Sequence, residues 1–331
     1  QGKMKVKNQN INKILVFALC GIGDIIMLTP TISSLKKNYP KSKITVIIRK
    51  NIPKDILKNN HFVNKIYNYP EDFIINVWTK WFKSKDKIKH IKNLIQELKF
   101  LWSLRKESYG VSLWALPGET KRGAIVSLLA GAKIKMGPSY KIRGIETNLF
   151  YDYAIKPNNY THRVEDNLQY VRFSRSDNQI KNELYLKVSE KDDKFAQQFL
   201  RNNNILKRNV LIGIHPGCDK ENLERRWPIE NFVKLAKNLA KNRNNKLVVF
   251  EGPDEKGILE NFRGINIIEG KDLSLGQVSV IIKRCKVMIT SDSSLGHIAA
   301  ALKVPTVTLF GPANPNKTKP YDNKGIVIDK L

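Results

Sequence analysis

Eight short apolar runs, rich in β-branched residues and each followed closely by Gly, Pro or Asp, restrict the fold more than any other feature. They are Ile14–Ala18, Ile44–Ile48, Val111–Leu116, Val210–His215, Leu247–Phe250, Ile265–Ile268, Val287–Thr290 and Thr306–Phe310. Helical patterns separate several of them: Pro228–Lys241 sets Phe232, Leu235, Ala236 and Leu239 on one stripe, and Val278–Lys283 continues a similar one. Uninterrupted apolar strands have no polar face to offer water. Interleaved with helices, they predict doubly wound α/β sheets, mostly parallel and covered on both sides. The alternation starts afresh at Val210, with a boundary expected between residues 174 and 208, so the chain divides into domains 1–175 and 176–331. In such sheets ligands bind beyond the carboxyl ends of the strands, which is where the chemistry is sought.

Charge is the second constraint. The 331 residues carry 58 Lys and Arg against 30 Asp and Glu, net +28. Residues 1–175 hold 32 basic and 12 acidic side chains, net +20; the rest hold 26 and 18, net +8. A field of that sign attracts polyanions: nucleic acid, anionic lipid or a phosphorylated glycan. A lysine-rich proteome is the bland alternative. Three cysteines at irregular spacing, Cys20, Cys218 and Cys285, form neither a disulfide framework nor a metal motif, which points to a reducing compartment. No apolar run approaches the ~18 residues of a spanning helix, and the polar start lacks a signal-peptide core. From Trp78 to Lys106, Trp78, Trp81, Phe82, Phe100 and Trp102 are interleaved with nine basic residues. This segment reads either as an interfacial stretch on an anionic membrane or as an ordinary helix packed on the first sheet.

Four strand ends carry candidate chemistry. Gly21-Ile22-Gly23-Asp24 opens like a dinucleotide fingerprint but lacks its third glycine, and Asp24 puts a carboxylate where a phosphate would sit. Asp24 is then either a helix N-cap or a general base, and Pro30 either starts a helix at Thr29 or interrupts one begun at Asp24. His215-Pro216-Gly217-Cys218, followed by Arg225-Arg226-Trp227-Pro228, offers a turn and guanidinium groups to a phosphate, or a plain turn and a solvated basic pair. Asp292 to His297 opens a helix, Leu295–Leu302, with hydroxyls at an anion-binding N-terminus, or simply caps it. Glu251 to Glu255 places carboxylates beyond a strand end, suited to ribose hydroxyls or to a cap. No P-loop, His-Glu-x-x-His, paired Cys-x-x-Cys or Asp-x-Asp motif is present.

Taken in order, these segments resemble the heptosyltransferase family of bacterial lipopolysaccharide synthesis, over about Ile14 to Pro315. The carriers are Gly23-Asp24 with Leu28-Thr29-Pro30, His215-Pro216-Gly217 with Arg225 to Pro228, Asp292 to His297 with Ala299 to Leu302, and Phe310-Gly311-Pro312. The resemblance implies two facing Rossmann-like domains with a central cleft, the GT-B architecture. It also implies an inverting glycosyltransferase with no metal and no cofactor. Asp24 falls on the catalytic base. Donor-binding positions fall on Gly217, Cys218, Arg225 (a lysine in the family), Asp254, Leu273, Asp292, Ser293, Ser294 (a glycine in the family), Leu295 and His297. The implied partners are an ADP-heptose donor and an anionic lipopolysaccharide core acceptor, met at the cytoplasmic face of the inner membrane. Lys121, Arg122, Lys141 and Arg143 are the acceptor-binding candidates. The alternatives are a transferase of the same fold using another nucleotide sugar, a noncatalytic module that binds nucleotide sugar or membrane, and a basic nucleic-acid-binding protein.

Overall fold

The computed structural model describes residues 11–70, 87–118, 120–142, 145–146, 151–172, 180, 182–219, 221–321 and 324–329. The chain divides into two compact units, Gln1–Asn182 and Glu183–Leu331.

The first unit runs β1 (Lys13–Ala18), α1 (Ile22–Asn38), β2 (Lys43–Ile48), α2 (Asp55–Lys58), β3 (Lys65–Asn68), α3 (Lys87–Lys106), β4 (Val111–Trp114), α4 (Thr120–Leu129), β5 (Ile134–Pro138), β6 (Lys141–Ile142), β7 (Ile145–Glu146), β8 (Tyr153–Ile155) and α5 (Arg163–Arg172). The second runs α6 (Glu190–Asn202), β9 (Val210–His215), a 3-10 turn (Leu223–Arg225), α7 (Ile229–Ala240), β10 (Asn245–Phe250), a second 3-10 turn (Ile258–Phe262), β11 (Ile267–Gly270), α8 (Leu275–Arg284), β12 (Val287–Ser291), α9 (Ser294–Ala301), β13 (Thr306–Phe310), α10 (Pro315–Thr318) and β14 (Ile326–Asp329). Each unit holds one six-stranded parallel sheet, ordered β3-β2-β1-β4-β5-β8 and β11-β10-β9-β12-β13-β14, while β6 and β7 form a small antiparallel pair. The strand order reverses between β1 and β4 in one sheet and between β9 and β12 in the other. In doubly wound sheets that switch point is where ligands bind.

The apolar runs become strands because nothing polar interrupts their burial. Ile14 to Ala18 and Ile44 to Ile48 are buried throughout. Under the first sheet Phe17 stacks on Trp114 at 5.1 Å, and Leu101, Leu104, Ala124 and Val126 from α3 and α4 close that core. In the second unit Phe232 and Ala236 of α7 pack beneath Ile212, Leu247 and Ile289.

Several boundaries differ from the sequence reading for local reasons. Gly264 adopts φ +80° and the Ile265 amide still donates back to Phe262, so the chain is turning there and β11 starts only at Ile267. Strand β4 stops at Trp114, because the Leu116 amide is taken by the Asn167 side chain and the Trp114 carbonyl by Tyr170. Helix α1 begins at Ile22 with Gly21 as its N-cap. Asp24 is therefore the third helical residue, and the reading of Asp24 as an N-cap is corrected. Pro30 lies inside this helix. Its missing N–H would orphan the Ile26 carbonyl, and the Thr29 hydroxyl donates to that carbonyl at 2.6 Å.

Candidate active site

In the second unit the site lies at the carboxyl ends of β9 and β12. Strand β12 ends in Thr290 and Ser291, both buried, and hands over to Asp292, Ser293 and helix α9. Ser293 is the N-cap of α9 but makes no side-chain cap bond. Its hydroxyl lies instead 2.9 Å from His215 Nδ1 and 2.9 Å from Thr290 Oγ1. Ser291 Oγ donates to the Pro216 carbonyl at 3.3 Å. These bonds tie the two strand ends together, and they aim the positive end of α9 at the switch point.

Asp292 gives the site its chemical character. Its carboxylate is buried, and Oδ2 has no hydrogen-bond partner among the described residues. Arg225 forms an ion pair with that same oxygen, its Nη1 3.5 Å from Oδ2. Burial raises the Asp292 pKa from 3.8 and Arg225 opposes the rise. A buried acceptor without a donor is costly, so this oxygen is set to receive hydroxyl hydrogens from a ligand. Arg225 is partly exposed, which leaves guanidinium N–H groups open to an anion. Its turn is held from below by the loop after β13: a Cβ on Gly311 would stand 2.8 Å from the Glu224 carbonyl. This contact gives the Phe310-Gly311-Pro312 segment a physical role.

Arg226 does a different job. Its Nη2 donates to the Cys218 carbonyl at 2.9 Å and lies 3.9 Å from Glu255 Oε1, bracing the loop after β9. Glu255 is buried, accepts the Gly252 amide at 3.0 Å and packs over Gly217, where a Cβ would stand 2.3 Å from its carboxyl carbon. Burial raises the Glu255 pKa above its ordinary 4.5. Asp254, the carboxylate singled out by sequence, is exposed. Its neighbour is the one turned inward, because the turn from Gly252 brings the fourth residue, Glu255, back over the strand end. The Cys218 thiol donates to the Asn222 carbonyl at 3.1 Å, and burial pushes its pKa up. The thiol thereby caps the turn that follows β9. Ser294 is half-buried at the start of α9, Leu295 and His297 are buried further along it, and Leu273 is half-buried in the loop after β11.

His215 completes the network. Glu255 Oε1 lies 3.9 Å from its Nε2, but burial and the Arg226 charge push the imidazole down to about 3, so this contact is not an ion pair. Between pH 3 and the ordinary value of 6.5 the unfolded chain therefore binds the extra proton, and His215 costs stability as pH falls through that window. His215→Gln is expected to flatten the acid side of the stability curve by up to ~1.4 kcal/mol per pH unit. Urea titrations across the window check this, and parallel curves for the two proteins would contradict it.

In the first unit Asp24 sits half-buried in the first turn of α1, at the carboxyl end of β1 and beside the switch point. The buried Cys20 thiol feels the Asp24 charge and, with opposite sign, those of Arg49 and Arg163. Arg49 is fixed by donating from Nε to the Leu19 carbonyl at 3.0 Å. A carboxylate among cations at a strand end suits an anionic hydroxyl-bearing substrate, and the sequence did not single out Arg49 or Arg163. Of the acceptor candidates, Lys121 and Arg122 fall in the first turn of α4 and Lys141 in β6, with side chains outside the described residues. Arg143, Trp78, Trp81 and Phe82 lie outside them altogether. Among the described residues no three His, Cys, Asp or Glu side chains cluster as metal ligands, and no helix is long and apolar enough to cross a membrane.

Comparison with known proteins decides the family. The model of glycosyltransferase family 9 (heptosyltransferase) matches residues 98–330. The chain belongs to glycosyltransferase family 9. The lipooligosaccharide heptosyltransferase 2 of Haemophilus ducreyi is 25% identical over 340 residues, covering 96% of this chain and 88% of that protein. The lipopolysaccharide heptosyltransferase 2 of Salmonella typhimurium is 34% identical over 126 residues, 36% of this chain and 36% of that protein. In that second match the chain spans about a third of the relative's length. Escherichia coli heptosyltransferase WaaC with ADP superposes with a TM-score of 0.71 at 20% identity, covering 96% of this chain and 93% of that one. That likeness shows the fold, the GT-B class of paired Rossmann-like domains. Family 9 membership agrees with the resemblance carried by its motifs.

Proposed function

We propose that this family 9 glycosyltransferase moves a heptose from ADP-heptose to an anionic lipopolysaccharide core, inverting the anomeric centre without a metal ion. The observation that carries the reading is the buried Asp292 carboxylate with an unfilled hydrogen-bonding oxygen, set between Arg225 and the start of α9. A nucleoside diphosphate sugar supplies both halves of what that site lacks: hydroxyl donors for Asp292, and phosphate oxygens for Arg225 and the amides of the first turn of α9. Similarity to a lipooligosaccharide heptosyltransferase 2 and to a heptosyltransferase solved with ADP supports the donor and acceptor classes.

In the proposed step Asp24 takes the proton of the acceptor hydroxyl. The oxygen forms a bond to the anomeric carbon as the bond from that carbon to the diphosphate breaks, and ADP leaves with the electron pair. Arg225 and the α9 dipole stabilise the charge that builds on the leaving phosphate, the task a divalent metal serves in other transferases. The net +20 of residues 1–175 favours an acceptor bearing phosphates or carboxylates, and the proposal sets the transfer at the cytoplasmic face of the inner membrane, where a lipopolysaccharide core would be met.

Calorimetry against ADP-, UDP- and GDP-sugars tests the donor class without any acceptor. ADP-heptose is expected to bind about tenfold or more tighter than the UDP- and GDP-sugars, since a base-edge mismatch leaves polar groups unpaired. A UDP- or GDP-sugar that binds best would overturn the ADP assignment. It would favour a different sugar transferase on the same fold, in line with Ser294 at the family's glycine.

A further inference from the structure

Helix α3 buries little of itself. Glu97, Leu101 and Leu104 are its buried side chains, and Glu97 accepts a hydrogen bond from the Tyr69 hydroxyl at 2.5 Å. On another face Ile88, Ile91, Ile95, Leu98 and Trp102 are exposed, Ile88 to 69% and Trp102 to 60%. Their spacing alternates three and four residues, which confines them to an arc of about 80° on a 3.6-residue helix. From Ile88 to Trp102 the stripe extends ~21 Å along α3. Exposed Lys92, Lys99 and Lys106 run along one border, and Lys87 and Arg105 along the other. The helix contains a single acid, Glu97, and that side chain faces inward. Helix α4 packs beside α3 and adds exposed Ile125 and Leu128. Arg105 Nη1 donates to the Leu128 carbonyl at 3.5 Å, so the two patches adjoin.

We propose that this face of α3, with Ile125 and Leu128, docks on an anionic lipid surface. Large apolar side chains held in water at helical spacing mark a surface that is covered by something. A lipid surface takes the stripe into its headgroup and acyl boundary while its phosphates meet the flanking lysines. A second copy of the chain fits less well. Stripe against stripe would bring rows of Lys92, Lys99 and Lys106 together without an exposed acid on α3 to pair them. Nucleic acid would satisfy the lysines and leave the isoleucines in water. The proposal goes beyond the transfer reaction, and its test contains neither donor nor acceptor, so it stands or fails apart from that reading.

The test is co-sedimentation of the whole chain with phosphatidylcholine vesicles and with vesicles containing about one-third phosphatidylglycerol. Binding to the anionic vesicles is expected to exceed binding to the neutral ones by about tenfold or more. Ile95→Asp with Leu98→Asp should remove it, and Lys92→Glu with Lys99→Glu should abolish the preference for phosphatidylglycerol. All four side chains are exposed, so circular dichroism and melting should match the wild type. Equal or absent binding to the two vesicle types overturns the proposal, as does full binding by the Ile95/Leu98 variant. A wild-type dimer that Ile95→Asp converts to monomer would assign the stripe to a second copy instead.

Discussion

Asp24→Asn is expected to lower kcat by ~10²–10⁴-fold, the usual contribution of a general base, while donor affinity changes little. Asparagine keeps the size of the side chain and its place in the first turn of α1, but it cannot accept the acceptor's proton. The loss of a carboxylate near a helix N-terminus costs only ~0.3–1 kcal/mol of stability, so the protein remains folded for the comparison. Steady-state kinetics with donor and acceptor give the turnover, and calorimetry with donor alone gives the affinity. A variant with kcat within tenfold of the wild type would remove Asp24 from the role of base. A variant that loses donor binding as well would move it into the donor site.

The second large effect separates binding from stability. Asp292→Asn should weaken donor binding by about 10–150-fold, the loss of a hydrogen bond to a charged group. The unliganded protein should become more stable, by ~1 kcal/mol, because a buried carboxylate with an unfilled oxygen is exchanged for a neutral amide. The direction of the pH dependence follows from the raised pKa. Folded Asp292 holds its proton where the unfolded chain has released it. The carboxylate's cost to folding is therefore absent well below pH 3.8 and develops as pH rises through the window above it. The stability gap between variant and wild type should widen with rising pH in the same window. Donor titrations and melting curves on both proteins give the two numbers, and a variant that binds donor normally, or that melts lower than the wild type, would contradict the role assigned to Asp292. The expected pair of results, weaker donor binding with higher stability, would make the site an instance of stability given up for function.

The central strands of both sheets were legible because a buried parallel strand has no alternative to an apolar run. The edge strands were not. Strand β3 alternates exposed and half-buried residues, and β14 presents Ile326 and Ile328 to solvent, so neither offers the continuous signal that marks β1 or β9. Around the site, the residues that open α9 and the turn after β9 could be found from hydroxyls, Gly and Arg at strand ends. What the one-dimensional pattern could not rank was neighbours. Arg225 and Arg226 look alike in sequence, yet one faces Asp292 and the other braces a carbonyl. Asp254 and Glu255 look equally suited, yet only the second folds back over Gly217. Each choice depends on where a short turn points a side chain, a three-dimensional quantity with no periodic trace. The segment ending at Lys106 was half-resolved in the same way. Composition left interface and packed helix open; the structure puts Leu101 and Leu104 in the core and the isoleucine stripe in water, and lipid binding is what the vesicle experiment tests.

The hydroxyl that Thr29 lends to the carbonyl of Ile26 makes two adjacent positions a single heritable unit. A mutation of Thr29 to an aliphatic residue would strand a buried oxygen for as long as the imino ring remains at position 30. If Pro30 were first exchanged for a residue with an amide hydrogen, position 29 would be free to drift. Divergence at these sites should therefore proceed in a fixed temporal order, ring before hydroxyl, and intermediates that lack only the hydroxyl should be purged.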